Sequence, residues 1–214
     1  MKTTFLTIAL ILFSGILFSQ NQENKRTGIV YGKRSGDVIK GKNAAYKIKR
    51  ISKCYCMIRN VNIADTVYFG ESEELNFVSK KNEEKIKEVV SKSIQPENIP
   101  LPQRWWDSLF LCFTLNEDFN IENVTFGFGV KEYSSVFWCH LPVDCYHAIE
   151  EALMKLELSF DEKEKEVIRG LDFEHGACCC CFIGNEDVCK YWNIEMRKLT
   201  KEDKREVQEE KMNE

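Results

Sequence analysis

Ten cysteines and three histidines are the side chains of this chain best suited to chemistry. Each histidine has a cysteine close by: Cys139 precedes His140, Cys145 lies two residues before His147, and His175 lies three before Cys178. Thiolate and imidazole together are zinc ligands, so Cys139, His140, Cys145, His147, His175 and Cys178 form the candidate metal set. Their spacing argues against a finger, which needs close Cys-x2-4-Cys and His-x3-5-His pairs. Cys54-x-Cys56 likewise departs from the Cys-x-x-Cys redox motif. The run Cys178-Cys179-Cys180-Cys181 has three readings. Its thiols could form disulfides in an oxidising compartment, in a pairing that spacing does not give; they could serve a metal or redox site; or they could be small hydrophobes in a buried strand. Residues 177–183 contain no polar side chain, which favours the buried strand, covered on both faces and paired into the main sheet. A thiol placed there is hard to ionise and slow to react.

No other catalytic pattern stands out. The Gly-x-Ser-x-Gly elbow, the phosphate-binding loop and the His-Glu-x-x-His zinc helix are missing from the sequence, so no catalytic residue and no cofactor is assigned. Acidic runs at 71–74 and 161–166 read as solvated faces. A net charge of −4 argues against nucleic acid as a partner.

The elements that would position these residues centre on 109–160. Leu109, Leu111, Phe113 and Leu115 alternate along one face of a strand, and Val124, Phe126, Phe128 and Val130 do so along a second. Residues 116–120, rich in Asn and Asp, supply the hairpin turn. Ile121 falls out of phase, which predicts a bulge near Glu122-Asn123. Gly127 and Gly129 call for a close approach to their face, by a helix more readily than by a ligand. From Pro142 onward Tyr146, Ile149, Leu153, Leu156 and Phe160 form one helical stripe, with Glu150, Glu151, Lys155 and Glu157 away from it. Before the hairpin, Asn82 reads as the N-cap of a helix that buries Ile86, Val89, Val90 and Ile94. Three prolines then lead to Trp105 and Trp106, which with Gly127 and Gly129 make a candidate contact surface.

Upstream, alternating rows through Tyr46, Ile48, Cys54, Cys56 and Ile58, and short runs at 66–69 and 75–78 around a Gly70-Glu71-Ser72 turn, predict a meander of strands. The fold class is therefore α+β: a mainly antiparallel sheet, N-terminal meander plus central hairpin, with two helices packed on one face. A last strand is expected over 191–199. Residues 1–19 carry a single early lysine and an apolar run from Phe5 to Phe18, 14 residues against the roughly 20 of a bilayer-spanning helix. They read as a secretory signal peptide, leaving no stable membrane span after cleavage near Ser19-Gln20, with a retained N-terminal anchor as the competing reading. The remaining divisions are a β-rich segment at 20–81, a helix-hairpin-helix-strand domain at 82–198 and a charged tail at 199–214.

Residues 82–183 resemble the C-terminal domain of TonB-type proteins. The phrase running from Leu111 to Val124 is similar to that module's hairpin, with Asn120-Ile121-Glu122-Asn123-Val124 standing where the family commonly has Gly-x-Ile-x-x-Val, and Asn120 in place of the glycine. The chain also looks like exported proteins of Gram-negative gut bacteria. The resemblance implies a non-catalytic module for protein contacts, located in the periplasm or at the cell surface, with another cell-envelope protein as partner.

Overall fold

Alternation of apolar and polar residues produces strands wherever the chain must bury one face, and the computed structural model shows seven among its described residues. It describes residues 29–30, 32–52, 54–63, 76–99, 107–130, 137–169 and 177–196. The expected signal peptide, the strand at 66–69 and its turn, Trp105, Trp106, His175 and the charged tail lie outside the described residues. The strands are β1 (Val38–Lys40), β2 (Ala45–Ser52), β3 (Tyr55–Asn60), β4 (Asn76–Phe77), β5 (Ser108–Leu115), β6 (Ile121–Gly129) and β7 (Ala177–Gly184). Their order across the sheet is β1-β2-β3-β6-β5-β7-β4, an open sheet in which neighbours are antiparallel except the two-residue β4, parallel to β7. Among the described residues four α-helices accompany it: α1 (Lys80–Ser93), α2 (Val143–Leu153), α3 (Glu162–Arg169) and α4 (Asn185–Tyr191). The α+β class read from the sequence is the class observed.

One face of the sheet makes the core. Leu109, Leu111 and Phe113 of β5, Val124, Phe126 and Phe128 of β6, Ile48 and Ile58 of β2 and β3, and Cys179, Cys181 and Ile183 of β7 are all buried in one cluster. Ile86 and Val90 of α1, Tyr146, Ile149 and Leu153 of α2, and Val188 of α4 join the same cluster, so these helices share that face. The bulge falls where the phase change predicts it: Thr114 pairs with Asn123 and Leu115 with Ile121, leaving Glu122 as the extra residue. In the turn, Asn116 Oδ1 accepts the N–H groups of Asp118 (3.1 Å) and Asn120 (3.0 Å). The left-handed residue there is Phe119, at φ 63°, whose ring lies 5.8 Å from that of Phe160.

Several expectations change. The second helix stops at Leu153, and Leu156 and Phe160 reach the core from a segment without regular secondary structure in which Leu158 is also partly buried. Asn82 is not the cap, since α1 begins at Lys80 behind Ser79. Its side chain instead clasps that irregular segment, donating to Ser159 O (3.0 Å) and accepting from Ser159 N–H (2.9 Å). The run at 75–78 yields β4, which pairs with β7 at the far edge of the sheet. Where a final strand was expected, α4 already occupies residues up to Tyr191, and a turn follows at 192–193. The Asp187 carboxylate accepts the Gly184 N–H at 2.9 Å and so fastens the first turn of α4.

Candidate functional site

Two polar corners and one sheet surface are the places where this fold could act. The first corner lies where β5 begins. Asp107 is 6% exposed, and its carboxylate accepts the Trp138 backbone N–H at 3.3 Å. Its own peptide links are to Asn185: Asp107 N–H donates to Asn185 Oδ1 (3.0 Å) and Asn185 N–H to Asp107 O (2.9 Å). Burial pushes the Asp107 carboxyl up to about 7, against the smaller pull of the backbone N–H groups of Trp138, Phe137 and Ser108. The short 3-10 turn Trp138–His140 places Cys139 Sγ 3.1 Å from His140 Nδ1. Burial, then the charge of Asp107, pushes the Cys139 thiol up to about 12. Tyr146 closes the corner by donating its hydroxyl to Trp138 O.

The second corner joins α2 to the meander. Glu150, read from the sequence as lying away from the buried stripe, is only 5% exposed. Four residues after Tyr146 and three before Leu153, it shares their helical face, and β2 and β3 supply its partners. Tyr46 donates its hydroxyl to Glu150 Oε2 at 2.7 Å, and Asn60 Nδ2 donates at 2.9 Å. His147 sits with Nδ1 3.9 Å from Glu150 and Nε2 3.9 Å from Glu151. At the exposed end of α2, Asp144 accepts the Lys42 and Asn43 N–H groups, both at 3.0 Å, and those two bonds hold its carboxyl below the usual range.

His175 apart, the candidate ligands are distributed rather than gathered. Cys139 and His140 touch each other, Cys145 is buried on α2, and His147 faces two glutamates. Cys178 stands opposite Thr114 in the β5–β7 register. Among the described residues no group of three or more His, Cys, Asp or Glu side chains is arranged to hold a metal ion. Burial pushes Cys56 up to about 12 and Cys145 up to about 11, so these thiols are poor nucleophiles at neutral pH.

The sheet surface opposite the helices is lined by the other side-chain row, including Tyr55, Phe110, Cys112, Thr125 and Phe182. Gly127 lies here, and what approaches it is neither helix nor ligand: a Cβ at that position would collide with the Tyr55 hydroxyl. Tyr55 pairs with Gly129 in the adjacent strand, and its phenol fills the space that Gly127 leaves. The strand read as covered on both faces opens at one residue. Cys180 is fully buried, but Phe182 is 48% exposed, its ring 4.9 Å from that of Phe110. The sequence reading missed this aromatic pair, because its register depends on β5 and β7 lying side by side.

No family model matches the chain, and no curated protein matches it. Among solved structures it is similar to a DUF5043 family protein from Bacteroides uniformis ATCC 8492, with 12% identity and a TM-score of 0.44 over 74% of this chain and 86% of that one. No helix among the described residues is long and apolar enough to cross a membrane.

Proposed function

We propose that this protein is an exported, non-catalytic interaction module of the bacterial cell envelope, which meets another envelope protein through the sheet face that carries Phe110 and Phe182. The observation that carries the reading is the Phe110–Phe182 pair, because Phe182 leaves a large aromatic ring about half exposed on a strand. Aromatic side chains offer a large contact area for little conformational entropy, which is why they anchor protein interfaces. The apolar run at 5–18 and the likeness of 82–183 to the TonB C-terminal module point the same way. The competing reading, a periplasmic thiol or metal protein, is disfavoured by the buried, hard-to-ionise cysteines.

The test places a photo-crosslinking amino acid at position 182 and, as a control, at the exposed position 154 of the full chain, followed by fractionation of the cells. A discrete adduct with an envelope protein at 182 but not at 154, together with a mature N-terminus near residue 20, is expected. Equal labelling at both positions, or a chain still beginning at Met1 in the cytosol, would sink the proposal.

A further inference from the structure

We propose that Cys112 and Cys180, both reduced thiols in this structure, form a cross-strand disulfide, closed by a small-molecule or protein disulfide through thiol–disulfide exchange. Cys112 of β5 and Cys180 of β7 are direct partners in register, and theirs is the one cysteine-to-cysteine pairing among the described strands. Partner residues in an antiparallel ladder alternate between hydrogen-bonded pairs, with Cα atoms about 5.5 Å apart, and non-hydrogen-bonded pairs at about 4.5 Å with closer side chains. The phase here is fixed at both ends. Asn185 N–H donates to Asp107 O at 2.9 Å, which makes 107 and 185 a bonded pair; stepping five residues along β5 makes 112 and 180 a non-bonded one. At the other end, Cys180 O accepts the Val78 N–H at 3.2 Å, so its peptide points away from β5.

The close class of pair falls within the Cα separation of about 4.4–6.8 Å that disulfides span. Both side chains lie in the row opposite the helix-packed core, since Leu111, Phe113, Cys179 and Cys181 fill the core row. Cys178, two residues from Cys180, is diagonal to Cys112, and diagonal positions are about 7–8 Å apart, beyond ready bridging. The register thus selects one thiol from the four consecutive ones.

The exchange balances. The Cys112 thiolate attacks one sulfur of the oxidant's disulfide and expels a thiolate. The Cys180 thiolate then attacks the Cys112 sulfur of the mixed disulfide and expels the second. Two protein thiols become one disulfide, and the oxidant becomes two thiols that take up the two protons. Cys112 is 1% exposed and Cys180 fully buried, so the exchange precedes closure of the sheet.

The experiment does not depend on export. The reduced, denatured full chain is refolded with oxidised and reduced glutathione, alkylated, digested without reduction and mapped by mass spectrometry. A Cys112–Cys180 crosslinked peptide as the main disulfide species is expected, with a higher urea midpoint in the oxidised than in the reduced form. Cys180→Ser should lose the crosslink and Cys178→Ser should keep it; the wild-type map decides the matter even if either variant fails to fold. Recovery of Cys112 mainly alkylated, or mainly linked to another cysteine, would overturn the assignment.

Discussion

Asp107 and Glu150 are both carboxylates shut inside the fold, and their partners differ in kind. Glu150 receives side-chain donors from two strands, the Tyr46 hydroxyl at 2.7 Å and the Asn60 amide at 2.9 Å. Asp107 receives backbone N–H groups from the turn it supports, the Trp138 N–H at 3.3 Å, and it faces the Cys139 thiol and Tyr146. One carboxylate fastens a helix to a sheet, so losing it strands the donors that reach for it. The other fastens a turn through N–H groups that favour its ionised form, while its burial favours the proton more strongly.

The largest expected effect is therefore on the Asp107 side. Its folded value of about 7 lies above the ordinary 3.8, so its contribution is complete below about pH 4 and is lost as pH rises through about 7. The displacement corresponds to roughly 4 kcal/mol. Asp144 and Glu162, held low by the Lys42 N–H and the Lys165 ammonium respectively, act in the opposite direction, so the comparison is made against Asp107→Asn. Urea unfolding from pH 4 to 8 should show the two chains alike at the acid end and Asp107→Asn increasingly the more stable toward pH 8. Parallel profiles would mean that the carboxylate is ionised at no cost.

On the Glu150 side, replacing the residue by alanine leaves the Tyr46 hydroxyl and the Asn60 amide without their acceptor, at roughly 3 kcal/mol. Chemical denaturation measures this, and a loss within experimental error would show that the corner takes in water freely. The smallest effect is that of Tyr46→Phe, about 1.5 kcal/mol, because Asn60 still donates to Glu150. If Tyr46→Phe cost as much as Glu150→Ala, the phenol rather than the carboxylate would be the centre of that corner.

The parts of the fold that could be read in advance are those whose neighbours along the chain repeat a period. The β5–β6 hairpin shows its alternation, and its bulge shows as one out-of-phase isoleucine. The end of α2 was hidden because Leu156 and Phe160, four apart, satisfy a helical stripe and an extended row equally well, and only Leu158 between them distinguishes the two. Neither corner was legible. Asp107 is buried by Trp138 and Asn185, 31 and 78 residues away, and nothing beside it in sequence marks it. Glu150 did leave a trace, as a charged residue on the arc between Tyr146 and Leu153, but abundant surface glutamates of the same helix masked it.

The position of β7 bears on how the molecule is made. It is the last of the described strands in chain order, yet it lies between β5 and β4. A ribosome releases the β5–β6 hairpin long before residue 184, so through that interval β5 has one bare edge and a row of large apolar side chains with no β7 beside them. An edge of that kind invites pairing with any other extended segment. The nascent chain is thus most prone to stick to its neighbours late in synthesis, and that hazard ends when the cysteine-rich strand arrives.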